Sequence, residues 1–126
     1  MSTPKKILLV DDDLFIRELY DEVLKSEGYD VDTASDGKEG FDKITENQYD
    51  LILLDVMLPK IDGIGILSEL KKLKNHPPLS SIIFLTNLAH DPVVKQVTEQ
   101  CVRKCLIKAD ITPDQLVAEV KAALGK

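Results

Sequence analysis

Acidic residues follow two aliphatic runs of this sequence, and a hydroxyl and a lysine follow two others. Asp11 and Asp12 come directly after residues 7–10, and Asp55 comes directly after residues 51–54. Thr86 and Lys108 each end a later apolar run. Carboxylates held a few ångströms apart repel by about 4 kcal/mol per pair at an effective dielectric constant near 20. Carboxylates brought together at one edge of a sheet therefore need a positive partner.

Oxygen ligands of this kind favour a hard cation. Proteins hold Mg²⁺ with one or two carboxylates and several waters, whereas Ca²⁺ takes more protein ligands. A metal among carboxylates, facing the Thr86 hydroxyl and the Lys108 ammonium, is a receptacle for a phosphoryl group. Asp55 is the better candidate nucleophile because it stands alone, whereas the adjacent Asp11 and Asp12 suit a metal.

The segment after Asp55 contains residues that stiffen a loop. Pro59 fixes one φ angle, and Asp62 followed by Gly63 provides a turn residue that is free to adopt a positive φ. A rigid loop presents its backbone carbonyls at fixed positions. We therefore expect the carbonyl of Met57 to be a further metal ligand.

The aliphatic runs predict strands. Residues 7–10, 51–54 and 82–85 are continuously apolar, which is typical of parallel strands covered on both faces. Residues 29–33 alternate in polarity and predict an edge strand, and residues 105–107 predict the fifth strand.

Amphipathic segments between the strands predict five helices. The third is marked by leucines three residues apart, at Leu67, Leu70 and Leu73. The fourth begins at Asp91, which precedes a proline. The fifth begins at Thr112, with Gln115 closing a capping box. Five such units predict a doubly wound, flavodoxin-like parallel sheet in the order 2-1-3-4-5, with helices on both faces. Ligands bind such sheets beyond the carboxyl ends of the strands, which is where the polar residues stand.

The length and charge set limits on the class of protein. The 126 residues predict a single domain spanning 1–126, with a core from about 5 to 125. No apolar run is long enough to span a membrane. A formal net charge of −6 without a basic cluster argues against nucleic acid as a direct partner. The two cysteines complete no zinc site, and reduced thiols predict a cytoplasmic location.

Together these motifs resemble the receiver domains of bacterial two-component response regulators, in the stand-alone form that carries no output domain. The resemblance covers essentially the whole chain, from Lys6 through the last helix. In that family the acidic pair, the phosphoacceptor, the switch hydroxyl and the lysine lie in four short motifs. The corresponding segments of this chain, in the same order, are ILLVDDD (followed by Arg17), LILLDVMLPKIDG, IIFLT and CLIK.

The resemblance implies that Asp55 accepts a phosphoryl group from a histidine kinase or phosphotransfer protein and so switches the binding of a downstream target. The implied Mg²⁺ ligands are Asp12, Asp55 and the Met57 carbonyl, with Asp11 acting through water. Such a domain is not an enzyme beyond its own phosphoryl transfer and autodephosphorylation.

The resemblance also implies that Thr86 and Lys108 contact the phosphoryl oxygens and report the modification. Three neighbouring positions depart from the family pattern. Cys105 stands where an aromatic residue is usual, Ala109 replaces a proline, and Asn87 replaces a small residue. We expect Cys105 and Asn87 to alter, respectively, the conformational switch and the lifetime of the phosphoryl group.

Two other interpretations use the same residues. The first is an Mg²⁺-dependent phosphohydrolase with Asp11 as nucleophile and Asp13 as acid, although such enzymes usually need a cap domain. The second is an interaction module that works without phosphate. Labelling at Asp55 favours the receiver, turnover of phosphate esters through Asp11 favours the hydrolase, and a lack of Mg²⁺ binding favours the interaction module.

Overall fold

Strands and helices alternate along the chain. The computed structural model describes residues 4–86 and 104–125. Within these ranges the elements, numbered in chain order, are β1 Lys6–Val10, α1 Leu14–Ser26, β2 Asp30–Ala34, α2 Gly37–Glu46, β3 Leu51–Asp55, α3 Gly63–Lys71, β4 Ile82–Thr86, β5 Lys104–Ile107 and α4 Pro113–Leu124.

The five strands form one parallel sheet in the order β2-β1-β3-β4-β5, which confirms the predicted topology. The three central strands are buried on both faces because their side chains are aliphatic or aromatic at almost every position. The first and third strands are neighbours although the second lies between them in sequence. This crossover places the switch point of the sheet between Val10 and Asp55.

Alternate residues of the strands supply two separate core clusters. Leu8, Leu54 and Phe84 belong to the cluster that includes residues of α2 and α3. Leu9 and Leu53 belong to the cluster on the opposite face, which includes residues of α1 and α4. Each fully buried side chain of this kind contributes about 1.5 to 3 kcal/mol relative to exposure. The sheet is therefore fixed from both sides, and the loops at its carboxyl end stand on a rigid base.

Most helix ends follow the signals in the sequence. Thr112 caps α4, and its side chain and that of Gln115 form the predicted capping box. The helix predicted to begin at Asp91 lies outside the described residues. The inclusion of Leu73 in the third helix is wrong, because α3 ends at Lys71 and the Leu73 side chain is exposed. No helix among the described residues is both long and apolar enough to cross a membrane.

The strand β2 lies at one edge of the sheet, as its alternating pattern predicted. Asp30 is exposed, and the half-buried Asp32 accepts a hydrogen bond from the Tyr49 hydroxyl at 2.8 Å. The Lys6 ammonium lies 5.3 Å from the centre of the Tyr49 ring and 3.8 Å from an Asp32 oxygen. The edge therefore carries a cluster of charged and polar side chains.

Candidate functional site

The polar residues singled out from the sequence lie at the carboxyl ends of the strands. Asp11 directly follows β1, Asp55 ends β3, and Thr86 ends β4, and all three are buried among strand ends that are otherwise apolar. Lys108 directly follows β5 and begins a short 3-10 turn. Parallel strands bring these residues to one edge, because all of them end at the same side of the sheet.

The ammonium group of Lys108 bridges two buried carboxylates. Its Nζ donates to Asp55 Oδ2 at 2.8 Å and to Asp11 Oδ2 at 3.0 Å. The Lys108 side chain is 9% exposed and those of Asp11 and Asp55 are 0% and 4% exposed, so little water screens the three charges. The lysine therefore supplies part of the positive charge that the carboxylates require.

Burial changes the proton affinities of this cluster. It raises the pKa of Asp55 to about 6, because the effect of desolvation, assisted by the nearby charge of Asp11, exceeds the opposing effect of Lys108. For Lys108, burial lowers the pKa. Its hydrogen bonds and charge interactions with Asp55 and Asp11 raise the pKa, and together they outweigh the effect of burial. The pKa of the Lys108 ammonium thus lies above its usual value, and the group stays charged at neutral pH.

The loop between β1 and α1 is tied to Asp11 by several hydrogen bonds. The Asp13 N–H donates to Asp11 Oδ1 at 2.9 Å, and Arg17 Nη1 donates to the Asp11 carbonyl at 2.9 Å. The Asp13 carboxylate accepts from the Ile16 N–H at 3.1 Å and caps α1. Asp13 thus has a structural role, and Arg17, which the sequence analysis named only as part of the resemblance, fixes this loop from one turn into α1.

Three carboxylates form a group with the chemistry of a magnesium site. One oxygen each from Asp11, Asp12 and Asp55 lies within 4.8 Å of the other two. Asp11 and Asp55 are buried, whereas Asp12 is exposed at the mouth of the site. The donor set consists of oxygen atoms only, which suits a hard cation that keeps some of its waters. These residues therefore fit Mg²⁺.

We expect Asp12→Ala to weaken Mg²⁺ binding by at least about tenfold, and more than Asp11→Ala does. The resemblance makes Asp12 a direct ligand and Asp11 a water-mediated one, and Asp12 is also the exposed member of the three. Isothermal titration calorimetry with MgCl₂ measures both constants, and Asp13→Ala is the control because its carboxylate caps a helix. A larger loss in Asp11→Ala than in Asp12→Ala would reverse the assignment of direct and water-mediated ligand.

The loop after β3, residues 56–62, brings Met57 next to Asp55. The Met57 N–H donates to Asp55 Oδ1 at 3.1 Å, and its side chain is largely exposed. The expectation that Gly63 takes a positive φ in this loop is wrong. Lys60 has the positive φ, at 70°, and Gly63 begins α3 instead. Gly63 is needed for close approach, since a Cβ there would lie 2.5 Å from the Asp55 carbonyl oxygen.

The structure describes two residues of the expected switch region, Thr86 and Cys105. Thr86 is fully buried at the end of β4, and its partner in the strand register is Ile107, the residue before Lys108. Cys105 is half-buried and packs against the core cluster that contains Phe84. Asn87 lies outside the described residues, so its expected effect on the phosphoryl group stays a prediction.

The sequence matches a known family along most of its length. A family model described as the response regulator receiver domain matches residues 7–121. The chain is 40% identical over 121 residues to the transcriptional regulatory protein CpxR homolog of Haemophilus influenzae, covering 96% of this chain and 51% of that protein. It is 51% identical over 70 residues to the alkaline phosphatase synthesis transcriptional regulatory protein PhoP of Bacillus subtilis, covering 56% of this chain and 29% of that protein.

Solved structures of receiver domains have the same fold. The receiver domain of the Francisella response regulator 1452 has 30% sequence identity and a TM-score of 0.84, with 96% of this chain and 97% of that chain covered. The response regulator protein TrrA from Thermotoga maritima, in complex with Mg²⁺-BeF, has 36% identity and a TM-score of 0.79 over 95% and 99% of the two chains.

Fold, site and comparisons agree on the class of protein: a signalling domain with an acidic cluster and a lysine at the carboxyl edge of a five-stranded parallel sheet. The chain belongs to the response regulator receiver domain family. It spans about half the length of the curated regulators CpxR homolog, ycf27 and SrrA that it matches over nearly all of its own length.

Proposed function

We propose that Asp55 accepts a phosphoryl group from a phosphohistidine of a histidine kinase or phosphotransfer protein, with Mg²⁺ bound by Asp12, Asp55 and the Met57 carbonyl. Asp11 contributes to the metal through water. The observation that carries this proposal is the buried Lys108 ammonium, which lies within hydrogen-bond distance of both Asp11 and Asp55. A charge in that place faces the anionic donor as well as the acceptor.

The chemistry is a transfer between two nucleophiles. An Asp55 carboxylate oxygen forms the new bond to phosphorus while the bond from phosphorus to the donor imidazole nitrogen breaks, and the imidazole leaves with the electron pair and is then protonated. Mg²⁺ bound among the carboxylates supplies positive charge to the phosphoryl oxygens. Lys108 shifts from the carboxylate towards another oxygen of the group, and the Thr86 hydroxyl donates to a third.

The modified domain signals through Thr86 and Lys108, because these two residues contact the new group from neighbouring strands. In this proposal the domain catalyses only its own phosphorylation and dephosphorylation, and it works in the cytoplasm. Several relatives carry names of transcriptional regulators. The expectation that nucleic acid is not a partner is therefore limited to direct contact by this chain, and a DNA-binding partner downstream is compatible with the proposal.

The test is a mass measurement with a small acyl phosphate donor. We expect the intact protein to gain one phosphate in MgCl₂ and none in excess chelator, because the carboxylates repel an anionic donor until a cation is bound. Asp55→Asn should gain none under either condition. Asp13→Asn is the matched control and should be labelled like the unmodified protein, since Asp13 caps α1.

Other outcomes separate the alternatives. Labelling that survives Asp55→Asn, or that proceeds fully in chelator, would contradict the proposal. Steady turnover of a phosphate ester that depends on Asp11 would support the hydrolase instead. A protein that binds no Mg²⁺ and takes no phosphate would be an interaction module.

A further inference from the structure

The loop that carries Met57, residues 56–62, rests against the first turn of α2. The Gly37 N–H donates to the Pro59 carbonyl at 3.1 Å, so the first residue of α2 is bonded directly to the middle of the loop. Gly37 is itself buried. Neither Asp36 nor Gly37 belongs to the acidic cluster, and the sequence pattern gave them no role.

The contact at Gly37 leaves no space for a side chain. A Cβ built there would lie 1.5 Å from the Ile61 carbonyl oxygen and 2.5 Å from the Ile61 carbonyl carbon. Both are backbone atoms, which cannot rotate away as the end of a side chain can. Any residue other than glycine at position 37 therefore displaces the loop backbone or the start of α2.

The loop contains a strained turn next to this contact. Lys60 has φ of 70°, and the Ile61 N–H donates to the Pro59 carbonyl at 2.9 Å, a three-residue turn that is rare for residues with a side chain. Such backbone persists where surrounding contacts determine it. Two of these contacts come from the first residue of α2 and from its N-cap: the hydrogen bond of Gly37 and the ion pair between Lys60 Nζ and Asp36 Oδ2 at 3.4 Å.

The end of the loop at α3 is bonded back to the first residue of the loop. The Gly63 N–H donates to the Val56 carbonyl at 2.9 Å, and the Asp62 side chain caps α3 through the Gly65 N–H at 2.7 Å. Met57 lies between this attachment and the contact with α2. Its carbonyl position is therefore determined from two sides.

We propose that Gly37 and Asp36 are positioning residues for the Mg²⁺ ligand at Met57, acting through Pro59, Lys60 and Ile61. This inference rests on the proposed function, which makes the Met57 carbonyl a ligand. Gly37 allows the loop to approach α2, and Asp36 holds Lys60 in its positive-φ conformation. A ligand that has shifted by a fraction of an ångström loses much of its contribution to metal binding, because Mg²⁺ demands near-ideal octahedral geometry.

The decisive comparison is between two buried glycines of the same helix. We expect Gly37→Ala to weaken Mg²⁺ binding at least tenfold in calorimetric titrations with MgCl₂, since the added methyl displaces the loop. Gly40→Ala is the matched control, because a Cβ at Gly40 meets only side-chain atoms of Val10, at 2.9 Å and beyond. Both changes should lower the urea midpoint, but Gly40→Ala should change Mg²⁺ affinity less than twofold.

A second set of variants tests Asp36 without disturbing the helix. Asp36→Asn keeps an oxygen that accepts from the Glu39 N–H and so keeps the cap, while it removes the charge that faces Lys60. We expect Asp36→Asn and Lys60→Met each to weaken Mg²⁺ binding by two- to fivefold. The double variant should bind Mg²⁺ no more weakly than the single variant with the lower affinity does, because both changes remove the same interaction. These variants decide the question if Gly37→Ala does not fold.

The outcomes distinguish this inference from the proposed function. Unchanged Mg²⁺ affinity in folded Gly37→Ala, or an equal loss in Gly40→Ala, would mean that Gly37 serves only stability. Additive losses in the double variant would show that Asp36 does not act through Lys60. Failure of the unmodified protein to bind Mg²⁺ would instead overturn the proposed function, and with it this inference.

Discussion

Replacing Lys108 with methionine is expected to slow phosphorylation of Asp55 by about 100-fold and to lower the free energy of unfolding by about 3 kcal/mol at pH 8 without Mg²⁺. The ammonium bridges two buried carboxylates at 2.8 and 3.0 Å. Methionine is of similar length and brings no charge, so the Asp11 and Asp55 carboxylates would face each other without a counter-charge. The rate falls because the same ammonium is no longer available to the phosphoryl oxygens.

The pH dependence of this effect has a definite sign. Because the folded-state pKa of Lys108 is raised, its charge stabilises the fold at every pH below its ordinary value and loses this effect only in strong alkali. Below pH 6 the Asp55 carboxylate takes up a proton, which relieves its repulsion with Asp11. Urea unfolding should therefore show a smaller loss at pH 5 than at pH 8, and saturating MgCl₂ should also reduce the loss.

Lys104→Met is the control for this experiment. Lys104 begins the strand β5 that Lys108 directly follows, but its ion pair with Glu119 is at the surface, where such pairs contribute at most about 1 kcal/mol. A loss of stability in Lys108→Met that equals the loss in Lys104→Met, or that does not depend on pH, would show that Lys108 does not neutralise the cluster.

Asp55→Asn is expected to raise the free energy of unfolding at pH 7.5 without Mg²⁺ by about 1 to 3 kcal/mol. Burial raises the pKa of Asp55 from 3.8 to about 6, so the folded protein holds the neutral form more tightly than the unfolded chain does. The amide has the shape of the carboxyl without its charge. Lys108 keeps a partner, because its Nζ also lies 3.0 Å from Asp11 Oδ2.

The sign follows from the direction of the shift. A carboxyl with a raised folded-state pKa favours folding below about pH 4, and this contribution is lost as the pH rises through about 6. The advantage of Asp55→Asn should therefore appear between pH 4 and 6 and remain constant above that window. Urea unfolding across this range measures it, with Asp42→Asn, which alters an exposed ion pair, as the control. A variant less stable than the unmodified protein at pH 7.5 would contradict the assignment.

Most of the fold follows from the sequence because the three central strands are apolar at almost every position. Only a sheet covered on both faces accommodates runs such as residues 51–54, and short connections then leave few topologies. Helix starts were predictable where a cap and a proline stand together, as at Thr112. The end of α3 was not, since Leu73 continues the apolar spacing although the helix ends at Lys71.

The site was predictable to the extent that its residues end strands. Asp11, Asp55 and Thr86 occupy such positions, and the sheet brings them together. That Lys108 bonds to both Asp11 and Asp55 depends on the length and conformation of its side chain, which the spacing of residues along the sequence does not show. The turn at Lys60 was missed because glycine is the usual residue at a positive φ, and a lysine adopts it here only under the constraint of α2.

The charged edge of the sheet has a consequence for the behaviour of the domain in concentrated solution. An open strand such as β2 offers unpaired backbone groups to any other open strand, and extension of the sheet from one molecule to the next leads to aggregation. A second copy of β2 paired against this edge would bring the carboxylates of Asp30 and Asp32 of the two molecules close together, and like charges on paired strands repel. These two carboxylates therefore oppose extension of the sheet from one molecule to the next at this edge.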